Sequence, residues 1–166
     1  VLAALEEDAM SEAVARDLMQ TQVVTVDPET PLVDVQRLFV EEEINGAPVV
    51  SDDREILGVV TSLDVLRAVE EEHDTAASYS VYFRESLEFS GPDWSRMPED
   101  FQDRLAQLTA ADAMTKGVIS VTADAPASQI ARTLRSNHVH RVFVVEDGAL
   151  LGVISTFDLI AVLEKR

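Results

Sequence analysis

The sequence predicts an α+β fold, within the broad α/β class, made of two copies of one β-α-β-β-α unit packed sheet to sheet with pseudo-two-fold symmetry. Three observations lead there. The chain aligns with itself at a nearly constant offset. Within each copy the hydrophobic pattern switches between strand and helix periods in the same order. The composition is that of a packed globular protein, with 46% hydrophobic and 27% charged residues and only 12 Gly and Pro positions among 166.

The repeat is read from matched residues 95 positions apart: Asp17 falls on Asp112, Met19 on Met114, Val26 on Val121, Pro31 on Pro126, Arg37 on Arg132 and Val49-Val50 on Val144-Val145. A one-residue deletion in a turn then reduces the offset to 94, placing Leu57-Gly58-Val59 on Leu151-Gly152-Val153 and Asp64 on Asp158. The chain divides into an N-terminal extension (1–13), repeat one (14–72), an insert (73–108) and repeat two (109–166). One repeat alone would leave much apolar surface exposed, so the two are expected to pack together and form clefts at the seam.

In each repeat a β-rich run comes first, Val23, Val24 and Val26 in repeat one, ended by Asp27-Pro28. Pro31 then suits the first turn of a helix whose apolar face is Leu32, Val35, Leu38 and Phe39; the copy has Ala127, Ile130, Ala131 and Leu134. Pro48-Val49-Val50 and Ile56 to Val60 are strands around a polar turn, and Glu146-Asp147-Gly148 is the stronger hairpin signal in the copy. Leu63, Leu66 and Val69, matched by Phe157, Ile160 and Leu163, line a closing helix. The insert holds both tyrosines, the tryptophan and three of the six phenylalanines. Two readings fit them: a cap over the core or a partner surface. Pro98-Glu99-Asp100 marks a helix start running through Phe101, Leu105 and Leu108.

Composition excludes several classes. A net charge of −18 argues against a nucleic-acid surface, which needs basic patches to neutralise phosphates. The acidic runs Glu41-Glu42-Glu43 and Glu70-Glu71-Glu72 read as solvated helix ends. No cysteine is present, which excludes disulfides and thiolate metal sites and fits a cytoplasmic setting. The longest apolar stretches fall far short of the ~20 residues that span a bilayer, so no membrane insertion is expected. The start, Val1 to Leu5 followed by acids, lacks the features of a signal peptide and an initiator Met, which fits a trimmed chain or an excised domain. No Gly-x-Ser-x-Gly elbow, Walker loop or Gly-x-Gly-x-x-Gly occurs, and no residue pair is arranged for acid/base or nucleophilic work. The chain is therefore read as a non-enzyme. His138 and His140 would share a face if strand-borne, but no third ligand accompanies them, so no metal site is assigned.

The informative element follows the last strand of each repeat: Gly58-Val59-Val60-Thr61-Ser62-Leu63-Asp64 and Gly152-Val153-Ile154-Ser155-Thr156-Phe157-Asp158. With Asp17-Leu18-Met19 and Ala111-Asp112-Ala113-Met114 at the repeat entrances, these segments resemble the CBS-domain family, and the chain resembles a tandem pair of such domains, a Bateman module. The resemblance implies that Asp64 and Asp158 grip the ribose hydroxyls of an adenosine ligand, with Thr61 and Ser155 near its phosphates. It implies an apolar adenine slot made by Val24 or Ile119 together with Ile44, Asn45 and Gly46 or Val139, His140 and Arg141. The slot of one repeat can serve the acid of either. His138-Val139-His140-Arg141 resembles a phosphate-touching His-Arg pair. Phe143 departs from the usual proline, which Pro48 keeps.

Physical chemistry is compatible with these roles. A carboxylate accepts from two vicinal hydroxyls at once, and a helix N-terminus offers N–H groups to an anion. Thr-x-x-Asp and Ser-x-x-Asp are also variants of the capping box, which stabilises a helix start without any ligand; the two roles can coexist. The expectation is a regulatory module that binds AMP, ADP or ATP, or another adenosine derivative, between its repeats, needs no obligatory cofactor, forms a homodimer and acts on a regulated protein or attached domain. Sensing of a divalent cation such as Mg2+, or a purely structural dimerisation role, are the alternatives. The Asp158 site is expected to hold phosphorylated nucleotide more tightly, because repeat two carries Lys116, His138, His140 and Arg141.

Overall fold

The structure, a computed structural model, describes residues 13–70 and 99–164. In chain order its elements are α1 (Ala15–Leu18), α2 (Leu32–Glu41), β1 (Gly46–Val50), β2 (Ile56–Thr61), α3 (Ser62–Glu70), α4 (Glu99–Gln107), α5 (Ala110–Ala113), β3 (Ser120–Val121), α6 (Ala127–Asn137), β4 (Arg141–Glu146), β5 (Ala149–Ser155) and α7 (Thr156–Glu164). The α+β class follows directly. Residues 1–12 of the N-terminal extension and the aromatic part of the insert, including Tyr79, Tyr82 and Trp94, lie outside the described residues.

The elements gather into two compact units that cut across the sequence repeats. One holds the described residues of Val24–Gly117, the other those up to Val23 and from Val118 onward. Each unit therefore contains the body of one repeat and the entrance segment of the other.

In the Val24–Gly117 unit, β1 and β2 form an antiparallel hairpin in which Gly46 pairs with Thr61 and Pro48 with Val59. Pro31 caps α2, whose Leu32, Val35 and Phe39 are buried at the spacing of one helical face. They join Val26, Val49, Val60, Val65, Val69, Leu105 and Ala110 in one core. The helix expected after Pro98 forms as α4; its Leu105 is fully buried and Phe101 packs against the same core. For that one aromatic, the cap reading describes its position.

The second unit repeats the plan around Ile130, Leu134, Val142, Phe143, Val144, Leu150 and Ile154. Here β4 and β5 pair antiparallel, joined through Asp147 and Gly148 at φ 51° and 82°. Positive φ at both central residues is the signature of a type I′ hairpin, the reason an Asp-Gly pair stands there. Repeat one spans the same gap with a longer turn from Ser51 to Glu55, closed by Arg54 N–H and Glu55 N–H on the carbonyl and hydroxyl of Ser51. This is where the sequence offset changes by one. Both hairpins shift register at the same place, between Val49 and Val50 and between Val144 and Val145.

Two expectations are corrected. The run Val23, Val24 and Val26 forms no regular strand, because only Val26 bridges, parallel to Val49. Its counterpart does form β3, pairing Ser120 with Phe143 and Val121 with Val144. The cause is Pro48: it has no N–H, whereas Phe143 N–H donates to the Ile119 carbonyl at 3.0 Å and extends the ladder. The second concerns the closing helix. In α3, Val65 and Val69 are buried, but in α7 Phe157, Ile160 and Leu163 are 66%, 48% and 45% exposed, and Leu159 carries the burial.

The entrance segments complete each sheet. Gln20 and Val153 exchange backbone hydrogen bonds of 2.9 and 3.0 Å, and Thr115 and Val59 exchange bonds of 2.8 and 3.0 Å. Immediately before each contact, α1 and α5 are one-turn helices started by Asp17 and Asp112. Asp112 accepts from Thr109 N–H at 2.8 Å, and Asp17 from Val14 N–H at 3.4 Å. The crossing is so close that a Cβ on Gly58 would lie 2.5 Å from the Thr115 carbonyl oxygen, and one on Gly152 2.6 Å from that of Gln20. Met114 and Met19 cover the same two glycines. The glycine that opens each motif is thus required by a backbone passing over it. Replacing Gly152 by Ala should lower the urea midpoint of unfolding by the equivalent of about 1–3 kcal/mol, the usual cost of forcing atoms into a packed site. An unchanged midpoint would contradict the crossing.

Candidate functional site

Each repeat concentrates its polar chemistry where the last strand runs into the last helix. At the end of β2, Thr61 N–H and Thr61 Oγ1 donate to Asp64 Oδ2 at 2.8 and 2.9 Å, and Asp64 N–H donates back to Thr61 Oγ1 at 3.1 Å. At the end of β5, Ser155 N–H and Oγ donate to Asp158 Oδ2 at 2.7 and 2.9 Å, with Asp158 N–H returning to Ser155 Oγ at 3.3 Å. Both are reciprocal helix caps, so the capping role is present in both copies. A further clamp fixes each helix start: Ser62 N–H donates to the Asn45 carbonyl and Thr156 N–H to the His140 carbonyl, both at 2.9 Å.

The cap uses one carboxylate oxygen. The other meets the entrance segment crossing the sheet. Thr115 Oγ1 donates to Asp64 Oδ1 at 3.3 Å, and Gln20 Nε2 donates to Asp158 Oδ1 at 3.0 Å. The two environments differ in burial. Thr61, Asp64 and Thr115 are 1%, 6% and 8% exposed. Asp158 is half-buried and Gln20 exposed. A buried carboxylate needs its partners, since unpaired charge in the interior is costly.

Both sets of expected site residues can be placed within their units. In the first, Val24, Ile44, Asn45 and Gly46 are half-buried; Gly46 is the cross-strand partner of Thr61, and Asn45 is tied to the start of α3. In the second, Ile119 is half-buried with its carbonyl engaged by Phe143, Val139 is 5% exposed, His140 is exposed, and Arg141 is the cross-strand partner of Ser155. Directly opposed residues on an antiparallel pair share a face with Cβ atoms about 4.5–5.5 Å apart. Arg141 is thereby placed beside the Ser155 and Asp158 junction, where repeat one has glycine.

Of the basic segment only Arg141 is on a strand, as the first residue of β4; His138 and His140 precede it. His138 ends α6 in the left-handed conformation, φ 54°, with Val139 N–H reaching back to the Leu134 carbonyl at 3.0 Å. Glu43 holds the matched position at φ 53°. The shared-face argument for His138 and His140 accordingly does not apply, and among the described residues no group of three or more His, Asp or Glu converges to hold a metal ion. Lys116 is also placed differently from expectation. It follows Thr115 in the unit that contains Asp64, because the entrance segment of repeat two belongs there.

Sequence reasoning missed Gln20 and Thr115. The signal was available: they occupy matched positions, each just after a matched methionine. What it lacked was the crossing that carries each one to the other repeat's acid.

No described helix is long and apolar enough to cross a membrane. The CBS domain model matches residues 15–71 and 110–165. An uncharacterized protein of Methanocaldococcus jannaschii is 28% identical over 89% of both chains. A second from the same organism is 25% identical over 93% of this chain, which spans only 44% of that protein. Among solved structures, the CBS domain of a CBS domain-containing membrane protein from Sphaerobacter thermophilus has a TM-score of 0.68 at 25% identity, covering 97% of this chain and 94% of that one. The CBS domain of a bacterial CNNM/CorC family Mg2+ transporter, in complex with ATP, has a TM-score of 0.64 at 21% identity over 97% and 94%. CBSX2 in complex with AMP has a TM-score of 0.61 at 22% identity over 92% and 98%. With two domain matches spanning most of the sequence and an architecture that runs through both, the chain belongs to the CBS domain family as a tandem pair.

Proposed function

We propose that this pair is a regulatory sensor of an adenine nucleotide, AMP, ADP or ATP, with Asp158 and Asp64 holding ribose hydroxyls. The observation that carries the reading is the Asp158 junction. A half-buried carboxylate stands at a helix start, with the Ser155 hydroxyl beside it and Arg141 across the strand pair. Carboxylate, hydroxyl, cation and helix N-terminus are the groups needed for a ribose phosphate. The AMP and ATP complexes of two structural neighbours support the ligand class.

The two sites are unequal in this reading. Arg141 opposite Ser155 can donate two parallel bonds to a phosphate, while Gly46 opposite Thr61 donates none from a side chain. Lys116, which adjoins Thr115 in the unit that contains Asp64, is exposed. In a protein of net charge −18, a local cation has to overcome a repulsive field before a phosphate can settle. Hydrogen bonds to charged groups contribute about 1.5–3 kcal/mol, or roughly 10- to 150-fold in affinity. Binding favours one conformation of the module, and a partner or attached domain reads the change by linkage; the module itself is non-catalytic in this account.

We also propose a homodimer. Phe157, Ile160 and Leu163 form an exposed apolar stripe on α7, and a two-fold contact would cover one stripe with another. Sedimentation should report a dimer, and Phe157→Glu with Ile160→Glu should give a folded monomer; a dimer that survives both charges places the contact elsewhere.

Calorimetry tests the nucleotide sites. Asp158→Ala should abolish the tighter AMP binding event and Arg141→Ala should weaken AMP at least tenfold more than adenosine. Loss of the tighter event in Asp64→Ala but not in Asp158→Ala would reverse the site assignment, and equal losses of AMP and adenosine in Arg141→Ala would remove its phosphate role.

A further inference from the structure

The two acids differ in what already occupies them. At Asp158 Ser155 supplies two hydrogen bonds to Oδ2, and Gln20 Nε2 supplies one to Oδ1. An ionised carboxylate has about four acceptor positions, so about one remains. A vicinal diol needs two. While the Gln20 amide is seated, Asp158 can accept one hydroxyl of a sugar but not both.

The cap cannot give way, because removing Ser155 from Oδ2 would undo the start of α7. Gln20 can. Its backbone is held to Val153 by two hydrogen bonds, but its side chain is exposed, so water can replace Asp158 as the amide's partner. The matched residue in repeat one makes the opposite arrangement. Thr115 is short and 8% exposed, and its hydroxyl donates to Asp64 from a buried position.

We infer that Gln20 is a specificity-determining gate of the Asp158 site: its amide competes with a vicinal diol for Oδ1 of the carboxylate and sets how many sugar hydroxyls the acid accepts. The inference rests on the proposal that Asp158 holds ribose. It assigns to the entrance segment, outside the motif itself, control over ribose recognition. It also gives ligand binding a structural consequence, because a seated diol releases the side chain of the segment that closes the sheet.

The experiment measures adenosine and 2′-deoxyadenosine affinities in an Asp64→Ala background, which leaves only the Asp158 site. Deoxyadenosine offers one ribose-ring hydroxyl and does not need the second acceptor; adenosine does. Gln20→Ala should raise the ratio of adenosine to deoxyadenosine affinity by about three- to tenfold, as expected for loss of one competing hydrogen bond at an exposed site. Gln20→Met, which keeps the length and the backbone contact but has no amide, should give the same rise and guards against a packing effect. A ratio that stays constant or falls in both variants overturns the gate. Asp158→Ala in the same background separates the two levels. If it abolishes adenosine binding while the Gln20 variants leave the ratio unchanged, only the gate is wrong. If it leaves adenosine binding intact, the ribose assignment and the gate fall together.

Discussion

A backbone segment passing over a glycine, too close for any side chain between them, is the constraint on which the rest of this structure depends. At Gly58 and at Gly152 the carbonyl of the crossing segment would lie within 2.6 Å of a Cβ. That approach lets the entrance segment of each repeat add to the sheet of the other by backbone hydrogen bonds. It creates units that mix the two repeats, and it brings Thr115 to Asp64 and Gln20 to Asp158. A methyl group at either glycine would push the crossing outward and separate donor from acid.

Duplication supplies the same frame twice, and a few substitutions make the two frames chemically distinct. Proline at position 48 withholds an N–H and leaves a single bridge at Val26, while Phe143 donates to Ile119 and builds a short parallel strand. Gly46 leaves the face beside Thr61 without a side chain, and Arg141 places a cation beside Ser155. Thr115 seals its acid in a buried pocket, where Gln20 leaves its acid accessible. The capped strand-to-helix junction is common to both, as helix stability demands. The groups that surround it are what differ between the two copies.

Local pattern carried most of the fold into the sequence. The faces of α2 and α6, the Asp-Gly hairpin and the start of α4 follow from periodicity and turn chemistry, which depend on neighbours in the chain. The caps at Asp64 and Asp158 were legible for the same reason. Illegible were the features set by partners distant in sequence. Nothing within Val23 to Val26 reveals that Pro48 will deny it a ladder, and nothing in Phe157, Ile160 and Leu163 distinguishes a stripe facing the core from one facing solvent. Lys116 reads as a residue of repeat two, yet the crossing places it with Asp64.

The central claim is that the acid capping each final helix also holds a sugar, one group serving stability and recognition together. The structure of the protein crystallised with AMP tests it most directly. The account predicts ribose hydroxyl oxygens within about 2.5–3.0 Å of the Asp158 carboxylate, the length of a charge-assisted bond, with the phosphate toward Arg141 and the Gln20 amide withdrawn. A nucleotide whose ribose lies away from both Asp158 and Asp64 would leave these acids as helix caps alone and contradict the account.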